Sequence, residues 1–391
     1  MSDPIPWTFG AGGDVTEQLQ FLTDVQAADH GAEQRRGLRI APRVVLGFDG
    51  LDQADNRRHM ENLLAANGSG RWQVPWVAEG GTLWADLAAG VAAIAVDTRW
   101  RHYRAGGKAL LIGRTPRERE VVAIDSLTDD GLVLAAPTAQ AWPAGTQIYP
   151  AVVCRLDAAP LLPRFTADAA PYSVQFRADE PVDWPADAGA ATYRGLPVFE
   201  WEPDWTEDPS AQYARDVVTA DNETSLPYVA DLVGAPRTLL TQALTTESLQ
   251  RAATLRSLLY VLDGRRCPIW VPGQAHDLVA VAGVANGAVA LDVRWSGLSQ
   301  SPLAEGRRDI RIQLRNGTVH YRRVTSAAQL SDSVERLTLS AGLSPGFAAG
   351  DVAMVSFLVP CRQEADVNML RWWASGVLRT QLTFRGLRDG L

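Results

Sequence analysis

Apolar and polar positions alternate in short runs along most of this chain, and turn residues break the runs apart. ALLIGR, REVVAID, LTDDGLVLAA and TQIYPAVV form one such series, and DIRIQLRNG, HYRRVTS, ERLTLS and VAMVSFLV form a second. Period-two runs of this length, closely spaced, predict the strands of a β-sandwich or barrel. Asp130-Gly131 and Asn316-Gly317 are hairpin signals within them. Only two stretches carry a helical period. Residues 51–67 space Leu51, Met60, Leu63 and Leu64 for a helix, with Asp52 as N-cap and Gly68 as the stop. A second helix opens at Thr245 or Thr246 and carries Leu249, Leu255, Leu258 and Leu259 up to Gly264. Each helix runs into a tryptophan-bearing strand, RWQVPWV or RRCPIWV.

The two series are copies. A constant displacement lays Ala41-Pro42-Arg43 on Ala235-Pro236-Arg237, Arg57 on Arg251, Leu64 on Leu258 and Trp76 on Trp270. One further residue of shift aligns AIAVDTRW (93–100) with AVALDVRW (288–295). Cys154 and Cys361, and then an aromatic strand through Phe176 or Phe384, follow in the same order, and LTDV and ARDVV precede the two APR sites. The fold expected is therefore mainly β (α+β), a tandem duplication of a β-sandwich or barrel module flanked by one α-helix. The modules should span residues 1–190 and 191–391, joined through the turn-rich residues 185–197.

On a strand, alternate residues share a face. Ile94, Val96, Thr98 and Trp100, with Val289, Leu291, Val293 and Trp295, are expected on the core side, closed by the tryptophans. Asp97 and Arg99, with Asp292 and Arg294, fall on the other side, paired with each other or with a neighbouring strand. Trp76 and Trp270 are likewise expected in the core. Trp184, Trp201, Trp205, Trp372 and Trp373, which have no counterpart, are the candidates for exposed or interface positions.

Composition narrows the function. The 391 residues are 46% hydrophobic and 21% charged, enough apolar material for two packed modules. A net charge of −8 argues against phosphate-driven nucleic-acid binding. Lys108 is the only lysine among 37 basic residues, a skew that codon usage explains. Three cysteines outside any CxxC spacing make no disulfide framework or metal knuckle. The opening MSDPIPWTFG is no secretory signal and no apolar run spans a membrane, so a reducing cytoplasm, or a particle assembled there, is expected. The five histidines form no HExxH and recur at no matched position, and GxSxG and P-loop patterns are absent. No catalytic, cofactor or metal site is predicted. The residues that stand out, Arg57, Arg251, Trp76, Trp270 and the two DxRW sets, are read as structural or interface positions. The 13 tryptophans keep a glycan- or receptor-binding module open as the alternative, with a carboxylate hydrolase behind it.

FLTDVQAADHGAEQRRGLRIAPR, the helix leading into RWQVPWV, and the closing LVPCRQEADVNMLRWWASGVLRTQLTFRGL together give the chain a family look. It resembles the tail-tip proteins of long-tailed bacteriophages, the distal-tail and baseplate-hub class. The resemblance implies a non-enzymatic virion protein whose strand-helix-strand modules build a ring around the tail axis. Partners implied are other copies of itself, in a trimer or hexamer, and tail-tube, tape-measure, hub or receptor-binding proteins. With two modules per chain, a trimer presents six similar faces.

Overall fold

The computed structural model describes residues 3–215, 217–231, 233–300 and 303–388; Asp216 of ARDVV therefore lies outside the described residues. The chain is mainly β with two helices, α1 (Ala54–Asn67) and α2 (Leu249–Leu262). Among the described residues no helix is long and apolar enough to cross a membrane.

Strand pairing repeats in the two halves. In the first, neighbours run Ala93–Ala95, Gly131–Leu134, Arg119–Thr128, Lys108–Ile112, Gln147–Leu156 and Trp72–Pro75, all antiparallel. In the second they run Ala288–Arg294, Val334–Leu343, Val319–Ser331, Asp309–Leu314, Val352–Gln363 and Ile269–Pro272, again antiparallel. Each set closes around its own apolar core. Ile94, Leu111, Leu132 and Ile148 are among the buried residues of the first, and Leu291, Ile312, Leu337 and Val355 of the second. Both Asp130-Gly131 and Asn316-Gly317 form hairpin ends.

A run of strands joins the halves, continuous with the first set where Gln147–Leu156 pairs with Ala169–Ala178 and with the second where Val352–Gln363 pairs with Val377–Gly386. Its order is Ala169–Ala178, Arg43–Gln53, Val15–Gln20, Val367–Ala374, Val377–Gly386, Arg237–Glu247 and Ser210–Ala214, antiparallel throughout. The seam is the pairing of Val15–Gln20 with Val367–Ala374. The second of these strands lies between Cys361 and Phe384, where the first half has no strand before Ala169–Ala178. Both helices pack into the core built on these strands, a single buried cluster that includes Met60, Phe48, Leu244, Leu255 and Leu370.

Several matched positions of the sequence alignment shift in three dimensions. Cys154 faces Trp72 across the ladder and Cys361 faces Ile269, so Gln73 takes the place of Trp270 and Trp72 that of Ile269. Consistently, Trp7 N–H donates to the Gln73 carbonyl and Phe199 N–H to the Trp270 carbonyl. Trp76 instead matches Gly273: their N–H groups donate to the Pro150 and Phe357 carbonyls. The Trp76/Trp270 equivalence therefore fails, because extra residues after α2 absorb a displacement that sequence identity alone does not register.

The helices differ from expectation at their starts. Leu51 to Gln53 pair with Ala169 to Pro171 as strand, so Asp52 is no cap and α1 begins at Ala54. Thr245 and Thr246 are strand residues too; Ser248 caps α2, accepting from Arg251 N–H at 3.2 Å. Since α2 starts one residue later relative to its strand, Arg57 is buried while Arg251 is exposed. The two arginines are not counterparts.

Candidate functional site

The two DxRW segments occupy different places. Ile94 pairs with Leu132 and Leu291 with Leu337, and the flanking bridges Leu87–Trp142 and Val284–Phe347 carry the same match. Asp97 thus corresponds to Arg294, and the shared tetrapeptide is displaced along the strand. In the first half the strand ends at Ala95 and DTRW forms a turn; in the second, Asp292 and Arg294 remain on a longer strand. Asp97 pairs with Arg99 at 3.0 Å and with Arg101 at 3.3 Å. Asp292 takes Arg336 of the next strand through two bonds of 2.7 and 2.8 Å. Neither tryptophan closes a core: Trp100 is 46% and Trp295 43% exposed. Both lie past the last inward-facing position of their strand, so the alternation that predicted burial had already ended.

The other candidates disperse. Arg57 pairs with Glu61 at 2.8 Å and donates to the Asp168 carbonyl. The Arg251 guanidinium lies 4.4 Å from the Trp201 ring centre. Trp270 is buried, its indole N–H donating to the Tyr193 carbonyl at 2.8 Å. Trp205 and Trp373 are exposed as expected, whereas Trp372 is buried and Trp184 half-buried.

Trp76, Trp100 and Trp184 do come together, at a site whose charged members and histidine the sequence patterns did not single out. At the seam, Arg256 of α2 is 1% exposed. Its guanidinium donates to both oxygens of Glu17, at 3.0 and 2.8 Å, and lies 3.0 Å from Glu79 Oε1. Trp372 indole N–H donates to Glu17 at 3.2 Å, and the Arg256 cation sits 4.5 Å from the Trp184 ring centre. Glu79, in the turn Val77–Glu79, accepts from the backbone N–H of His102 at 2.6 Å and meets His102 Nδ1 at 2.8 Å. The His102 ring stacks on Trp76 with centres 3.7 Å apart and planes 3° from parallel. Both halves thus send side chains to one buried cluster, Glu17, Glu79, His102 and Trp184 from the first and Arg256 and Trp372 from the second.

Its electrostatics follow from this geometry. Burial works against the Glu79 carboxylate, but His102 and Arg256 outweigh it and hold its pKa down to about 2. Burial likewise disfavours the Arg256 cation, and Glu17 and Glu79 more than offset it, raising its pKa. For His102 burial wins: its pKa lies below the ordinary 6.5 although Glu79 opposes the shift. A carboxylate only accepts, so the neutral ring keeps its proton on Nδ1, toward Glu79, and Nε2 is left as an acceptor. That Nε2 is buried and has no hydrogen-bond partner.

Above the cluster opens a cleft of about 330 Å³, lined by Trp76, Trp100, His102, Arg104, Asp183 and Trp184 among others. Among the described residues no group of three or more His, Cys, Asp or Glu side chains is placed to hold a metal ion. Cys154 and Cys361 are buried at matched places, and burial pushes both thiols up, away from reactivity.

Two residues of the cluster had left a trace in the sequence. Arg256 interrupts the apolar stripe Leu255, Leu258, Leu259, and Glu17 shares the inward parity of Val15 and Leu19. Charged residues in such positions mark a buried pair. Glu79 and His102 come from turns and carry no periodic signal.

Models of known protein families and the curated proteins were compared with the chain, and it matches none of them.

Proposed function

We propose that the protein is a non-enzymatic ring component of a bacteriophage tail tip, joining the tail tube to the tip or receptor-binding apparatus. One observation carries the assembly part of this reading. Each half bears a β-hairpin at the same place, just before its long strand: Thr23–Ala27 with Glu33–Gly37, and Val217–Ala220 with Tyr228–Asp231. The first is docked on the other half. Glu33 takes Arg362 through bonds of 2.7 and 2.9 Å, and Thr23 binds Asp366 through both its N–H and its hydroxyl. Among the described residues the second makes no comparable side-chain bond to the other half, although Val217 and Val218 line a cleft with Ala27 and Gly31. Residues 217–229 are all exposed, Val217, Val218, Tyr228 and Val229 among them.

A two-stranded ribbon with apolar groups exposed on both faces is marginal by itself and gains from cover. The first hairpin supplies the pattern: a hairpin from one half lies against the half that follows it. The free hairpin repeats that contact by lying against the first half of the next copy. Such a contact is heterologous, and it closes into a ring when its rotation closes. Three two-module chains then give six similar stations, the arrangement that the family resemblance implies for a tail axis.

Size-exclusion chromatography with light scattering, followed by negative-stain imaging, tests the ring. Rings of three or six chains are expected for the unaltered protein. Val229→Asp, on the exposed ribbon, is expected to give a folded monomer. A monomeric unaltered protein at all concentrations, or undiminished rings in Val229→Asp, overturns the assembly. Antibody labelling of virions places the protein: signal at the distal tail end is expected, and signal elsewhere rejects the tail-tip assignment.

A further inference from the structure

We propose that the cleft walled by Trp76, Trp100 and Trp184 binds a neutral saccharide, one pyranose ring lying against Trp100 with a hydroxyl donating to His102 Nε2. This goes beyond the ring reading and does not rest on it, since every group involved belongs to one chain.

Trp100 is the first argument. It is 46% exposed and held at φ +64°, a conformation that bulky residues rarely adopt. The turn is fixed from beneath: Arg101 donates to the Asp97 carbonyl at 2.9 Å and to the Glu79 carbonyl at 3.0 Å. Packing accounts for neither the exposure nor the strained backbone, and strain at a presented aromatic residue is a mark of ligand sites.

His102 is the second and independent argument. Its side chain is only 6% exposed, clamped between Trp76 at 3.7 Å and Trp184 at 4.5 Å, with Nδ1 fixed on Glu79. Its Nε2 nevertheless lacks a partner, on a residue that lines the cleft. Buried polar atoms are rarely left unpaired unless a ligand or water completes them.

Charge selects the ligand class. Arg101 is matched by Asp97 at 3.3 Å and Arg104 by Glu180 at 3.0 Å, and Asp183 lies at the rim. Asp97 is shared with Arg99 at 3.0 Å, but each guanidinium lining the cleft has an acidic partner and Asp183 adds a negative charge at the rim, which disfavours a phosphate or carboxylate. The cleft offers flat apolar walls, an acceptor and balanced polar groups, which suit a ring with one apolar face and several hydroxyls. Its volume of about 330 Å³ is at the small end of ligand clefts, room for one or two sugar rings. The corresponding loop of the second half is spent internally: Gly297 N–H and the Ser299 hydroxyl donate to Glu335 at 2.7 and 3.2 Å.

Saturation-transfer-difference NMR on the full chain tests the proposal, with methyl α-D-glucopyranoside, methyl β-D-galactopyranoside and N-acetyl-D-glucosamine as probes. Transfer to at least one probe is expected. Trp100→Ala, at an exposed position, is expected to weaken it by about tenfold or more, and His102→Phe, which keeps the stack but removes the acceptor, by several-fold. Trp373→Ala, an exposed tryptophan outside the cleft, is expected to leave it unchanged. Absence of transfer to all three probes, or transfer undiminished in Trp100→Ala, overturns the proposal. In Val229→Asp the transfer is expected to persist whether or not rings form, so this result and the assembly result are read separately.

Discussion

Arg256 illustrates what a single residue decides in this molecule. Taking a guanidinium and two carboxylates out of water is costly, and the arrangement is tolerated only because each finds its partner. Removing one partner leaves the others stranded. Arg256→Met is expected to lower unfolding free energy by about 3–5 kcal/mol in urea titrations, whereas Arg336→Met, at an exposed pair with Asp292, should leave the midpoint nearly unchanged. The cluster also sets a pH dependence. Glu79 titrates lower in the folded chain than its ordinary 4.5, so its contribution is present above that pH and is lost as pH falls toward about 2. His102 titrates below 6.5 when folded, so the unfolded chain binds its proton first and stability declines once pH drops under 6.5. Both effects run the same way. Thermal midpoints are expected to fall steadily from pH 7 to pH 3, and the upper part of that slope is expected to flatten in His102→Gln.

At the scale of elements, the helices show how local chemistry and tertiary pairing share the work. Apolar spacing predicted both helices, but strand pairing took Leu51 to Gln53 and Thr245 to Glu247 into the sheet and set where each helix begins. Only α2 then has a side-chain cap, from Ser248. Ser248→Ala is expected to cost about 1 kcal/mol, read from the shift of the urea midpoint. The DxRW strands carry the opposite lesson. An identical tetrapeptide implies an identical place, yet ladder register puts Asp97 opposite the station of Arg294. A hairpin in the second half is longer, and its strand partner lengthens with it, so the same letters reach different surroundings.

For the whole molecule, the seam between Val15–Gln20 and Val367–Ala374 is decisive, because the first half contributes one edge and the second half the other. The apolar core beneath it draws on both, with Leu19 and Phe48 beside Leu255 and Leu370. Halves comprising residues 1–190 and 191–391, produced separately, are expected to expose this face and self-associate or unfold at lower urea than the intact chain. Mixed together, they are expected to form a 1:1 complex by light scattering. Two halves that remain stable, inert monomers would show that the seam contributes little. In assembly the same logic extends outward: the hairpin that ends on Arg362 within the chain has a twin whose described residues make no such bond.

The sequence by itself determined the β-rich class, the two helices, most strands and the hairpin turns, because periodicity and turn chemistry are local. The lack of a counterpart in the other copy matched exposure for Trp205 and Trp373 but not for Trp184, Trp201 or Trp372. Only tertiary structure decided which residues are equivalent, since a few inserted residues shift register without erasing identity. It also decided that Trp100 faces outward and that Arg256, Glu17, Glu79 and His102 meet. Those four come from residues far apart in the chain, and a charge buried by long-range contact leaves little more locally than an interrupted apolar stripe.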